Sequence, residues 1–552
     1  MSALFDKHRE TLDRAVREIR TRGYWSAYPE MPSGRLYGES AKADGETAFK
    51  ALLNREFPLD QPAEGAPVGR ESSPYGFDLA ITYPVAPAER LIGAAKTAGA
   101  VWAHAPVAVR IGILLEALDR LNRASFLMAN AVMNTTGQSF IMAFQAGGPH
   151  AQDRGLEAVA YAFEAMEAIP RAVRWEKPQG KNPPLILDKT FRIVPRGVGL
   201  VIGCATFPTW NSYAAIFADL ATGNSVIVKP HPMAILPLAL TVKTLREVIA
   251  EEGYDPNTVL LAADDPDQPV TLDYLTSEDV DLVDFTGSAA FGAVVRSHAH
   301  GRPVFTEEAG VNPVVITGTD DFRGLTGNIA MSLSLYSGQM CTAPQAIFVP
   351  ADGIETDAGH KSPDDVAKGI ATALDKILGD HDRAMAILGA VQNPATLDRV
   401  KTAEKSGRLV RASTPVEGET DARTATPAIV ALDAADEAWR EECFGPIGFV
   451  VTAPDAHEAI RLAAGSVAEK GAITASFYGL DEGLIDAAID AFGRVGAPLS
   501  VNLTGQLLVN QSAAFSDFHV SGLNPAGTAT LTDAAFVANR FSVAAVRRPV
   551  AA

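Results

Sequence analysis

Three cysteines occur in the 552 residues: Cys204, Cys341 and Cys443. One stands where a thiol could act. Gly338-Gln339-Met340-Cys341 follows a helix-like run from Leu325 to Tyr336 and precedes a strand-like run at 347. A nucleophilic thiol needs access and a lowered pKa, and a glycine-bearing loop between elements supplies the access. By itself, a lone cysteine is more often a small buried apolar residue. Two acids, Glu307 and Glu308, stand in Thr306-Glu307-Glu308-Ala309-Gly310, ahead of Asn312-Pro313. Adjacent carboxylates raise one another's pKa, so one could serve as a base. Two solvated loop acids are the plainer reading.

Other segments suit a phosphorylated ligand. Phe285-Thr286-Gly287-Ser288, with Gly292 beyond it, directly follows an apolar run. Glycines there let backbone N–H groups approach a phosphate at a helix start, although the pattern is not GxGxxG. The run Ser225–Val228 delivers Lys229 to a strand end, where it could meet a ribose or phosphate. A solvated rim charge is the bland alternative. Glu442-Cys443-Phe444-Gly445-Pro446 is a turn bearing an acid and an aromatic. No cysteine or histidine cluster has zinc-ligand spacing, so no metal is expected.

The elements that must position these residues show in the apolar pattern. Val198–Ile202, Ser225–Val228, Thr258–Leu261 and Val280–Phe285 alternate with helix-like stretches at 212–222 and 237–252. Buried strands separated by helices predict a parallel α/β sheet with crevices at strand ends. A second block runs through Val314–Thr317, Ile347–Val349, Ile447–Thr452, Ile473–Phe477 and Leu499–Asn502, with the boundary near 305. Two helices precede the first block, carrying Leu91, Ala95, Ala98, Trp102 and Ile111, Leu114, Leu115, Leu118. Residues 172–194 read as an extended excursion and 541–549 as a terminal strand. Such segments pair across subunits or form a plain surface hairpin.

Composition narrows the class. A hydrophobic fraction of 47% supports large cores, and the net charge of −19 argues against nucleic acid or an anionic membrane as partner. Sparse, odd cysteines fit a reducing compartment. Met1 to Arg22 is highly charged and holds no signal-like apolar core, and no membrane-length apolar run occurs, so cytoplasm is the expectation.

Taken in order, the motifs from about residue 75 onward resemble the aldehyde dehydrogenase superfamily. Its cofactor-strand pattern is similar to Pro195-Arg196-Gly197-Val198 through Phe207-Pro208, and its strand-end lysine corresponds to Lys229. The glycine motif corresponds to Phe285–Gly292, the base motif to Glu307–Pro313, the nucleophile motif to Gly338–Cys341 and the ribose-gripping turn to Glu442–Pro446. The long N-terminal lead, Thr-Glu-Glu-Ala-Gly and Gly-Gln-Met-Cys also resemble the PaaN group, the ring-opening aldehyde dehydrogenases of phenylacetate degradation.

The resemblance implies an α/β fold of three parts. A Rossmann-like NAD(P) domain would span 76–171 and 195–304, behind an extension at 1–75. A catalytic domain would span 305–502, and an oligomerisation element 172–194 and 503–552, giving a homodimer or homotetramer. It implies aldehyde oxidation to the acid, the aldehyde in the finer reading being a CoA-linked semialdehyde. Cys341 would attack, Thr206 and backbone N–H groups would hold the oxyanion, and Glu307 would activate water for thioester hydrolysis. Gly287, Ser288 and Gly292 would face the cofactor, Lys229 and Glu442 its riboses, and Phe444 the nicotinamide side. Many NAD-preferring relatives carry a glutamate three residues past the lysine. Here Pro232 follows His231, so no acid is expected to repel a 2′-phosphate, and NADP is expected to serve at least as well as NAD. Two departures stand out: Thr206 replaces the usual oxyanion asparagine, and Glu308 with Ala309 replaces the common Leu-Gly. Rival readings are a CoA-acylating enzyme, a semialdehyde dehydrogenase of a benzoyl-CoA route, and a catalytically weak scaffold.

Overall fold

A computed structural model describes residues 3–308, 310–509 and 512–550; Ala309, one of the two departures, lies outside them. Each apolar run of the first block becomes a strand of one parallel sheet. Its order is Val259–Leu261, Ser225–Lys229, Val198–Ile202, Leu282–Gly287 and Val304–Glu308. The two central strands, Val198–Ile202 and Ser225–Lys229, are buried throughout, which is why they read as continuous apolar runs rather than alternating ones. Helices Pro208–Thr222 and Leu236–Glu251 form the crossovers, each with proline in its first turn, where the missing N–H costs nothing. The order reverses at Val198–Ile202, so the strand ends there open a crevice.

The acids at 307 and 308 are not on a solvated loop. They end the strand Val304–Glu308, which pairs with Leu282–Gly287, and both are buried. The first sheet therefore runs slightly past residue 305.

The second sheet has seven strands, ordered Arg408–Arg411, Ala428–Asp433, Ile447–Ala453, Ala346–Pro350, Val314–Ile316, Ala475–Tyr478 and Leu499–Val501. All neighbours are parallel except the Arg408–Arg411 edge. Neither that edge strand nor Ala428–Asp433 is among the expected strands. The first is short and half charged, and the second is an apolar run behind Pro427.

Residues 172–179 and 182–195 form a long antiparallel hairpin, and Phe541–Pro549 pairs with its second strand from Pro195 to Leu187. This small sheet is mostly exposed, with Val173, Leu185, Val543 and Val546 turned to solvent. At its root Arg540, fully buried, binds Asp219 and Asp284, each at 2.6 Å, and so ties the terminal strand to the first sheet.

The N-terminal lead is not a free arm. Arg9–Thr21 is a helix burying Leu12, Ala15 and Ile19, and it packs on the helix Pro149–Glu167. Ser26 Oγ and the Ala27 N–H both donate to the buried Asp153 carboxylate, at 2.5 and 3.0 Å. Trp25 meets Phe515 edge-on at 4.8 Å, and Arg22 lies over Phe518. The lead thereby joins a helix of the first half to the C-terminal segment. No helix among the described residues is long and apolar enough to cross a membrane.

Candidate active site

The chain approaching Cys341 is bent by three consecutive left-handed residues, Tyr336, Ser337 and Gly338 (φ 49°, 51° and 63°). The helix Phe322–Ser334 stops there, two residues short of its expected end. Gly338 has no alternative: a Cβ on it would lie 2.3 Å from the Gly445 carbonyl oxygen. The Cys341 loop and the turn at 442–446 thus meet backbone to backbone. Behind the thiol, Asn312 donates to the Cys341 and Ala343 carbonyls at 2.7 and 3.0 Å, while its Oδ1 accepts from the Ile473 N–H at 3.0 Å. Asn312 belongs to the base motif, so one side chain fixes the thiol loop to that motif and to the second sheet.

Glu307 comes from the end of its strand. Its Oε2 accepts from Asn211 Nδ2 at 2.8 Å and its Oε1 faces His519 Nε2 at 2.9 Å. A Glu307 carboxylate oxygen, Cys341 Sγ and a His519 ring nitrogen lie within 4.8 Å of one another. Burial, the Glu307 carboxylate and Cys204 all push the Cys341 thiol up, so only a neighbouring cation could bring its ionisation toward neutral pH. Cys443 is pushed up to about 11 by burial.

Two cavities meet at this thiol. The larger, about 540 Å³, opens at the strand ends of the first sheet. Thr206, Lys229, Pro232, Gly287, Ser288, Glu307, Cys341, Glu442 and Phe444 all line it, so nine of the ten residues picked from sequence converge. The tenth, Gly292, does not reach the cleft. It is buried against Glu308, whose carboxylate occupies the space a Cβ would need. Glu308 is in turn paired with Arg296, which gives it a packing role and keeps it turned from the thiol.

The cleft's donors suit a dinucleotide. Ser288 caps the helix Ala289–Ser297, accepting the Phe291 N–H, and places that helix start beside the cleft. Lys229 and Asp264, both buried, pair at 2.7 Å, offering a donor and an acceptor to ribose hydroxyls. Glu442 is raised to about 7 by burial, against Arg399. Asp264 changes the sequence expectation. An acid does stand at this end of the cleft, supplied by the neighbouring strand's loop. His231 is lowered to about 4 by burial and Lys229, so it is neutral and attracts no 2′-phosphate.

Thr206 does not take the pose expected of an oxyanion donor. Its hydroxyl oxygen lies 4.0 Å from Cys204 Sγ, and its carbonyl accepts from Gln138 Nε2 at 2.8 Å.

The second cavity, about 330 Å³, lies on the other side of Cys341. Phe207, Trp210, Leu335, Met340 and Met142 give it an apolar wall, and Trp25 of the N-terminal lead contributes to it. Tyr24, Glu30, His150 and Asp153 are its charged or titratable residues besides Cys341 and His519, and no lysine or arginine lines it among the described residues.

Sequence reading missed His519, Asp264 and Asn312 as site components. Asn312 was inside a quoted motif, but His519 and Asp264 stand in unremarkable loops and are recruited only by folding.

Residues 82–523 match the aldehyde dehydrogenase family. The chain is 54% identical, over the whole of both chains and with a TM-score of 0.98, to a crystal structure of an NAD-dependent aldehyde dehydrogenase from Burkholderia multivorans. It is 28% identical to the N-succinylglutamate 5-semialdehyde dehydrogenase of Chromobacterium violaceum, over 78% of this chain and 82% of that one. A lactaldehyde dehydrogenase of Methanococcus maripaludis is 24% identical over 57% of this chain and 64% of its own length, just under two thirds of it. The protein is an enzyme of the aldehyde dehydrogenase family.

Proposed function

We propose that this enzyme oxidises an aldehyde to its carboxylic acid with NAD(P), using Cys341 as nucleophile and Glu307 as the base for hydrolysis. The observation that carries this reading is the meeting of two cavities at one thiol, with a carboxylate beside it. The cleft's helix start, Lys229–Asp264 pair and Glu442 suit a dinucleotide, which would bring a hydride acceptor to one side of the thiol. The aldehyde would enter from the other side.

The Cys341 thiolate attacks the carbonyl carbon, forming an S–C bond and an oxyanion. Backbone N–H groups near Cys341 hold that charge, with Thr206 contributing only if its hydroxyl turns from Cys204. A nicotinamide dinucleotide held by Lys229, Asp264, Glu442 and the Ser288 helix start would supply the hydride acceptor, and loss of hydride from the Cys341 adduct leaves a thioester. Glu307 then takes a proton from water, which attacks the thioester and frees the acid. The presence of Glu307 beside the thiol favours water over CoA as acyl acceptor.

The positive charge of Lys229 is already balanced by Asp264, so the cleft gives NADP no advantage, and NAD is used at least as well. Resemblance to the PaaN group supports a finer substrate, a CoA-linked semialdehyde from an aromatic ring-cleavage route. The apolar wall suits its acyl chain. With no lysine or arginine lining the cavity among the described residues, the CoA phosphates would stay beyond its mouth. The exposed three-stranded sheet, with apolar side chains on open edges, supports a homodimer or homotetramer built on that element. An aldehyde panel run with both cofactors, with and without CoA, tests the reading. Free acid formed without CoA supports it. An acyl-CoA product formed only when CoA is present would overturn hydrolysis.

A further inference from the structure

His519 has no part in the cycle above, yet it lies between the two groups that perform it. Its Nε2 is 2.9 Å from Glu307 Oε1 and 3.9 Å from Cys341 Sγ. Its Nδ1 is 3.3 Å from Ser512 Oγ. The ring is 2% exposed and meets Trp210 at 4.7 Å in a T-shaped contact. Glu307 and Cys341 are the titratable groups facing Nε2. Arg154 stands behind Trp210, 5.1 Å from its ring, and donates to Ser512 Oγ at 2.9 Å. Its charge is taken up by Glu157 at 2.9 Å.

A thiolate and a carboxylate a few ångströms apart in a buried site need a cation between them. The described residues offer His519 there and no lysine or arginine on the aldehyde side. We infer that His519 is a further catalytic residue, an imidazolium whose Nε2–H faces both the Cys341 thiolate and the Glu307 carboxylate. Ser512 completes the arrangement, since a hydroxyl oxygen with two lone pairs can accept from both Arg154 and Nδ1–H.

The proton inventory closes. Ionisation breaks the S–H bond, the electron pair stays on sulfur, and the proton leaves to water in the aldehyde-side cavity. The imidazolium keeps both of its protons. Attack then turns the sulfur pair into the S–C bond, and the carbonyl π pair moves to oxygen. His519 goes on orienting Glu307, whose carboxylate has about four lone-pair positions and uses two on His519 and Asn211, leaving room for water.

This inference rests on Cys341 being the nucleophile, so its test reads that thiol without turnover. The rate of iodoacetamide alkylation at Cys341 is measured by peptide mass spectrometry across roughly pH 5.5–10, with no aldehyde or cofactor present. The wild-type rate should rise with a midpoint below about 8, as for a thiol beside a cation. In His519→Gln the midpoint should move up by at least about one unit, a tenfold loss of thiolate at neutral pH. Added imidazole should restore part of the alkylation rate in His519→Ala. A purely structural His519 would change the rate equally at every pH and leave the midpoint in place, which would overturn the inference. A wild-type midpoint at or above about 8.5 would overturn it with no variant needed. An inert Cys341 together with an active Cys341→Ala enzyme would instead overturn the nucleophile assignment, and this inference with it.

Discussion

Thr206 and Glu442 show how a residue type leaves its role open until its neighbours are fixed. A threonine hydroxyl can donate one hydrogen bond, so Thr206 is chemically able to hold an oxyanion. Folding places that hydroxyl beside Cys204 Sγ. Losing a working oxyanion donor costs roughly a hundred- to thousand-fold in rate. Thr206→Val should therefore lower kcat far less, by under about tenfold, as steady-state kinetics with a simple aldehyde will show; a larger fall would return Thr206 to the oxyanion site. Glu442 carries a pH signature. Burial raises its carboxyl to about 7, so it is neutral below that pH and an anionic acceptor for ribose hydroxyls above it. KM for the cofactor should fall as pH rises through 7, and Glu442→Gln should flatten that dependence. A cofactor KM with the same pH profile in both proteins would separate Glu442 from ribose binding.

At the scale of elements, legibility mostly follows burial. Apart from Ala428–Asp433, strands buried on both faces show in their apolar runs, and the crevice at their ends follows from the parallel order. Val304–Glu308 was not read as a strand because Thr306, Glu307 and Glu308 are polar. The fold buries them against the cleft, an arrangement that only tertiary pairing with Leu282–Gly287 and the C-terminal segment can stabilise. His519 was invisible for the same reason: nothing in its local sequence places it 2.9 Å from a carboxylate contributed from far along the chain. The N-terminal lead was legible as helix and turn, but its use was not. It lies outside the matched family span yet lines the aldehyde-side cavity through Tyr24, Trp25 and Ser26. Trp25→Ala should raise KM for bulky aromatic aldehydes several-fold while leaving kcat for a small aldehyde nearly unchanged. Equal KM changes for large and small aldehydes would show that the lead only stabilises the fold.

Across the whole molecule, two features bind distant parts of the chain. Arg540 is the first: it is fully buried and joins the terminal strand to Asp219 and Asp284 in the first sheet and its crossover helix. Arg540→Met would leave two buried acids without their cation, a loss of about 3–5 kcal/mol. It should lower the denaturation midpoint markedly, whereas substitution of the exposed pair Arg174–Asp188 should not. Denaturant titration of both variants distinguishes these outcomes. The second feature is the active site, assembled from four stretches that carry Asn211, Glu307, Cys341 and His519. Covalent catalysis at Cys341 with release by Glu307, as proposed, is read most directly by the mass of the intact enzyme. Glu307→Gln, mixed with aldehyde and cofactor and quenched in acid, should give one burst of reduced cofactor and gain the mass of one acyl group. Cys341→Ala should gain nothing and reduce no cofactor. An unmodified Glu307→Gln enzyme that turns over normally, or an acyl group found on any residue but Cys341, would contradict it.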